Sequence, residues 1–375
     1  MSTRKETAGH PAAARAVRRR DERRRGGRRV PTVHEDRRRP LLGVLAALGA
    51  AIVAAACTGP PPHRSTGAGA ATSSRPPATV ATPARAAGWS APQPVAPGPL
   101  DEVSCPTTSS CTAVTGTSAF TWAGGKWSGP VTLPGFGGPP PASGPAALVS
   151  CPTVGTCIAV SADGTSARST GPSWQPAGQL IAAHQPTALS CSSPTFCLAV
   201  DAEGFSYHYD GSGWNQTAGA WGSASALSCA SATLCMAADG GVAQWDGSAW
   251  SRPDSIDPSG QVVAVSCASE TSCTAIDSTG TALRFDGSGW GQPVPLPVTE
   301  TGHGTGDPVA LSCAGPTFCV AVGATGLAWG YNGTSWSRAV DVDGMHALTS
   351  VSCPAAGSCM AVDARGWAIR LGPPS

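Results

Sequence analysis

Cysteine is the residue type here with the most chemistry in it. Fourteen of the fifteen cysteines form seven pairs, every one spaced C-x5-C. Cys105 stands with Cys111, Cys151 with Cys157, Cys191 with Cys197, Cys229 with Cys235, Cys267 with Cys273, Cys313 with Cys319 and Cys353 with Cys359. Thiols at fixed spacing can ligate a metal, cycle as a redox couple or close as structural disulfides. Two thiolates are too few for a closed zinc site. Redox couples normally use the shorter C-x2-C spacing, and seven of them would have no purpose. In an exported chain an even, equally spaced set is a disulfide framework, each bond within its own pair. Closing a loop of about seven residues contributes on the order of 2 kcal/mol.

Histidines come next, because they would serve a lyase or a metal site. Residues 101–375 hold His184, His208, His303 and His346. His208 lies in a β-rich run and is expected to pack or face solvent. The other three lie between such runs. They could meet an acid and a metal, or they could be solvated loop residues. Asp341-Val342-Asp343-Gly344 has the beginning of a calcium loop, but no full loop follows, and a turn is expected. Asp201, Asp277 and Asp363 open tight turns in which aspartate bonds its own backbone. No cofactor motif stands out, and no cofactor or metal is expected.

The elements that position these residues repeat. The first cysteines of successive pairs lie 46, 40, 38, 38, 46 and 40 residues apart, a period that marks a repeat array. A serine precedes each first cysteine (Ser104, Ser150, Ser190, Ser228, Ser266, Ser312, Ser352), and an alanine stands two residues after each second one (Ala113, Ala159, Ala199, Ala237, Ala275, Ala321, Ala361). The alternation on both sides of the Cys loop gives two antiparallel strands, and the invariant alanine implies a crowded position. A short Gly turn and an aromatic-bearing third strand follow. An Asp-Gly or Asn-Gly hairpin signal at Asp210, Asp246, Asp286 and Asn332 then leads to a tryptophan that opens a fourth strand.

Four strands per forty residues make a propeller blade. The fold class is therefore all-β, a seven-bladed β-propeller of four antiparallel strands per blade, spanning residues 86–375. The seventh repeat stops before its fourth strand, whereas Gly88-Trp89-Ser90-Ala91-Pro92, ahead of the first repeat, matches fourth strands such as Trp250-Ser251-Arg252-Pro253. The N-terminal segment is expected to close the ring and cover an open edge.

The net charge of +1 averages two opposite segments. Residues 1–100 carry 17 Lys/Arg and 5 Asp/Glu, a net of +12, and residues 101–375 carry 7 and 18, a net of −11. The acidic repeat region excludes nucleic acid as an expected partner. Residues 1–56 have the form of an export signal: Arg37-Arg38-Arg39, then an apolar run from Leu41 to Ala56 too short for a comfortable membrane span. Ala55-Ala56-Cys57 resembles the lipobox of bacterial lipoproteins, which implies lipidation at Cys57. Residues 57–85, rich in Pro, Ala, Ser and Thr, form an expected flexible tether. The expected location is the outer face of a bacterial cell membrane, held by the lipid anchor.

The chain resembles bacterial exported β-propellers over residues 86–373, including the sialidase-like superfamily with its Asp-box hairpins. Its Asp210–Trp214 turn is one residue shorter than that box. Sialidase chemistry needs three carboxylate-gripping arginines and a Tyr/Glu pair, and no motif brings six arginines and three tyrosines together in that way. The leading expectation is a monomeric binding or scaffolding module for a protein or glycan, not an enzyme. The alternatives are a lectin-like ring, or a lyase or glycosidase with its site at the channel mouth. Binding residues are expected on the loops joining blades, the variable ones: Phe136, His184, Trp221, His303, Asp307 and His346.

Overall fold

The computed structural model describes residues 88–180, 184–217, 222, 224–298 and 307–372. The expected ring is present: seven antiparallel sheets follow one another in chain order. Blade three is representative, with strands Pro186–Ser193, Phe196–Asp201, Ser206–Tyr209 and Trp214–Thr217 in spatial order. The first strands of all the blades neighbour one another and line a central channel.

All seven cysteine pairs are closed as disulfides, each within its own blade as the spacing predicts. Cys105 is bonded to Cys111, Cys151 to Cys157, Cys191 to Cys197 and Cys229 to Cys235. Cys267 is bonded to Cys273, Cys313 to Cys319 and Cys353 to Cys359. The second cysteine of each pair is the more deeply placed in the seams: Cys111, Cys157, Cys235, Cys273, Cys319 and Cys359 are all buried, like Cys197.

The ring closes as the displaced tryptophan predicts. Gln93–Pro94 pairs antiparallel with Trp367–Leu371 and becomes the outer strand of the last blade. Trp89 bridges Leu371 and is buried in the core of that blade.

The core is divided among the seams between blades, one apolar cluster for each. Strand alternation explains this. Along the second strand of blade three, Leu198 and Val200 pack toward blade four, while Cys197 and Ala199 pack toward blade two. All seven invariant alanines have 0% exposure. They face larger side chains from the preceding blade, so a small residue is what lets adjacent sheets close to native packing density.

The invariant serine has an equally physical role. The inner edge of each first strand would leave backbone groups unpaired. Ser104 Oγ accepts the N–H of Cys151, Ser150 that of Cys191, and Ser190 that of Cys229. Ser228, Ser266 and Ser312 accept those of Cys267, Cys313 and Cys353. Ser352 returns to Cys105 at 2.9 Å. The seven bonds form an unbroken circle from each blade to the next. Replacing Ser190 with alanine will leave the Cys229 amide without its acceptor and cost about 1 kcal/mol, read as a fall of about 2–4 °C in melting temperature. An unchanged melt would show that the circle adds nothing.

In blades four to seven the outer strands are shorter than the pattern predicts. Blade four has three regular strands, its fourth reduced to bridges at Trp250 and Asp254. In blades four, six and seven the serine after the tryptophan interrupts the ladder. Ser251 Oγ accepts the Gln244 amide, Ser337 that of Gly330 and Ser90 that of Arg370, so a side chain takes the place of a ladder carbonyl. The tryptophans still anchor this edge: Tyr209–Trp214, Trp245–Trp250, Phe285–Trp290 and Tyr331–Trp336 lie 5.3–5.6 Å apart in tilted pairs.

Candidate functional site: the acidic channel mouth

Strand direction gives the ring two unlike faces. The disulfide loops and the Asp-Gly turns stand on one. The blade-to-blade connections and the turns between second and third strands stand on the other. The first face is uniform. Asp210, Asp246 and Asp286, and Asn332 in the same position, each accept the amides two and three residues on. These are fold-building turns.

The second face holds the channel mouth. A cavity of about 470 Å³ runs between the starts of the first strands, its wall formed by residues such as Leu148, Ala188, Ala264 and Val309. Two charged side chains stand in that wall, Asp101 and Glu102. Three residues before the first cysteine, the other blades carry Leu148, Ala188, Ala226, Ala264, Ala310 and Ser350; blade one carries Glu102. Glu102 Oε2 accepts the Val149 amide of blade two at 2.6 Å. Burial, reinforced by the neighbouring Asp101 charge, pushes its carboxyl up to about 8, against the pull of that amide. Burial pushes Asp101 up to about 6, with the Ala146 and Ala147 amides pulling the other way.

The sign of the pH effect follows. Folded Glu102 holds its proton more tightly than the unfolded chain, where its value is near 4.5. It is neutral and without penalty below that value. It costs stability progressively as pH rises toward about 8. Glu102→Gln should remove this cost, so its gain over the parent in urea melts will be larger at pH 8.5 than at pH 5. An equal gain at both pH values would contradict the assignment.

Charge is divided between the faces. Residues 101–375 carry 18 Asp/Glu, and among the described ones only Asp210, Asp246, Glu270 and Asp286 stand on the disulfide face. Lys126, Arg168, Arg284 and Arg370 lie toward that same face, Arg252 and Arg338 lie along outer-strand segments, and Arg365 stands in a second-to-third-strand turn at the mouth. Arg365 is engaged: Nε bonds Asp363 Oδ2 and Nη2 bonds Asp343 Oδ1, both at 2.7 Å. Burial and the adjacent Asp363 push Asp343 up to about 7 even so. Among the described residues, most of the acidic side chains therefore stand away from the disulfide face.

The loop residues expected to bind are placed as follows. Phe136 is half-buried against the seam of blades one and two. Its amide bonds the Leu133 carbonyl, a turn that folds the ring back onto that seam. His184 is exposed, with its ring 5.8 Å from Phe205 and Nδ1 3.5 Å from Glu203 Oε1. Asp307 is exposed, with φ 38°, and its carbonyl takes the Ala324 amide. His346 is exposed and its Nδ1 meets the Asp343 carbonyl. Trp221, His303 and Cys57 lie outside the described residues, as do the segments 1–56 and 57–85. His184 and His346 each bond within their own part of the ring, and among the described residues no three His, Cys, Asp or Glu side chains converge to hold a metal. Asp341 caps a turn through the Asp343 and Gly344 amides, as expected. Asp201, Asp277 and Asp363 likewise bond their own turns. His208 packs on Phe196, 4.8 Å away.

No family model matches the chain, and no curated protein does either. Solved structures do. YCF48 bound to a D1 peptide is similar at 14% identity and TM-score 0.59, covering 76% of this chain and 97% of that one. The WD40 propeller domain of Doa1 is similar at 12% identity and TM-score 0.60, covering 77% and 97%. Virginiamycin B lyase from Staphylococcus aureus is similar at 10% identity and TM-score 0.61, covering 76% and 100%. At such identities the likeness is one of fold, and residues 88–372 of this chain form a disulfide-stapled seven-bladed β-propeller.

Proposed function

We propose that this protein is a binding module whose acidic channel mouth takes a cationic segment of a protein partner. The observation that carries this is the division of charge between the faces, with Asp101 and Glu102 set into the channel wall at the centre of the acidic one. A lysine or arginine side chain entering the channel would lie among apolar walls with a carboxylate pair at hand. Its charge would also return both carboxyls to their ionised form. Phe136, His184, Asp307 and His346 lie in connections on the same face. The YCF48 structure with its bound peptide supports the reading in kind, as a propeller that binds a peptide.

The module belongs, in this reading, on the outer face of a bacterial membrane, lipidated at Cys57 and held off by residues 57–85. Seven disulfides fit an oxidising compartment outside the cytoplasm. Cys57→Ala should release the protein from the membrane fraction.

The binding claim is tested by fluorescence anisotropy with three labelled ten-residue peptides, one rich in Lys and Arg, one with Glu in their place and one neutral. The basic peptide should bind, and its affinity should fall steeply as salt rises from about 50 to about 300 mM. Equal binding of all three peptides, or binding indifferent to salt, would overturn the proposal.

A further inference from the structure

Two carboxylate pairs recur at equivalent places in the ring, and only one has a cation built in. In blades six and seven, Asp343 from the connecting segment meets Asp363 at the end of a second strand, and Arg365 bonds both. In blades four and five, Asp257 from the connecting segment meets Asp277 at the end of a second strand, and the two carboxyls lie within hydrogen-bond reach. Both pairs are twenty residues apart in sequence. Arg365 stands two residues after Asp363; the residue two after Asp277 is Thr279.

The second pair is deeply placed. Asp257 is 3% exposed and Asp277 is 0% exposed. Asp257 Oδ1 accepts the amide and hydroxyl of Ser259, and its Oδ2 is buried without a hydrogen-bond partner, as is Asp343 Oδ2 in the other pair. Asp277 Oδ1 accepts the amides of Thr279 and Thr281, and both of its oxygens face the Thr279 hydroxyl. Gly260 closes over the pair so tightly that a Cβ there would lie 2.0 Å from Asp277 Oδ2. Two adjacent buried carboxylates are costly without a compensating positive charge.

We propose that Asp257 and Asp277 hold one calcium ion, in the place that the Arg365 guanidinium fills at the equivalent pair. The donor set is all oxygen: two carboxylates, with the Ser259 and Thr279 hydroxyls beside them. This set suits a hard divalent cation and not zinc or copper. Thr279 is exposed and offers a way in from solvent. The acidic mouth raises the local cation concentration. The proposal stands independently of any partner bound at the channel.

The test uses the whole domain, stripped with EDTA and dialysed. Calcium chloride is titrated by calorimetry, and melting is followed with and without calcium. Binding near one ion per chain is expected, with a rise of about 5 °C or more in melting temperature at a hundredfold excess over Kd. Asp257→Asn should lose both signals. Thr279→Arg supplies the guanidinium that blade seven already has, so it should fold, melt at or above the calcium-free parent and ignore calcium. That variant separates loss of the site from loss of the fold. Absence of a calcium response in the parent, or a response that survives Thr279→Arg, would overturn the proposal. So would a pair that is stabilised only by lowering the pH, which would mark a shared proton in the place of the ion.

Discussion

Removing residues 88–100 from the propeller will lower its melting temperature by about 10 °C or more, or leave it unfolded. This short segment carries three things the ring cannot replace. Gln93–Pro94 is the outer strand of the last blade, and without it Trp367–Leu371 becomes an open edge. Trp89 is buried among Val342, Leu348 and Ile369. Leu100 has 0% exposure and sits in the seam between the last blade and the first. Truncating one large buried side chain costs about 2–5 kcal/mol, and each kcal/mol moves the melt of a domain this size by about 2–4 °C. Circular dichroism on the truncated and intact domains decides the matter. An unchanged melt would mean that the ring does not depend on its closing strand.

Reduction will be as damaging. Each disulfide closes a short loop between the first and second strands of one blade, worth on the order of 2 kcal/mol. The seven together rival the about 5–15 kcal/mol that holds a typical domain folded. The seams between blades one and two and between blades four and five have the least in reserve, being lined largely by Ala, Val and Leu with few aromatics. Treatment with a phosphine reductant should therefore abolish the cooperative melt. The non-reduced, denatured domain should show no alkylatable thiol, and peptide maps should link each cysteine only to its C-x5-C neighbour. A chain with fourteen alkylated cysteines and an unaltered melt would contradict this.

The fold was legible because the repeat displays it in one dimension. Invariance between repeats marks the cysteines, the buried alanines and the tryptophans, and a Trp-Ser-x-Pro copy out of place at Trp89 marks the closure. Partners across a seam are a different matter. The serine before each first cysteine is visible as invariant, but its acceptor role reaches into the next blade, and no pattern within one period says so. Glu102 could have been found by aligning the repeats on their cysteines, since it replaces small or apolar residues at that position. The Asp343–Arg365 contact joins neighbouring blades and needs the ring to be built first. Phe136 follows glycine amid prolines in a connecting loop, yet the turn at Leu133 packs it against the seam of blades one and two. Histidine is the more reactive side chain, but the charged groups of the channel wall are carboxylates.

The proposed division of labour, one face for folding and the other for binding, is tested most directly by hydrogen exchange on the domain saturated with the basic peptide. Protection is predicted at the mouth, in the segments 144–149, 184–189, 307–311 and 346–351. The disulfide loops and the Asp-Gly turns should exchange as in the free protein. A footprint on the disulfide loops, with the mouth unchanged, would contradict the account.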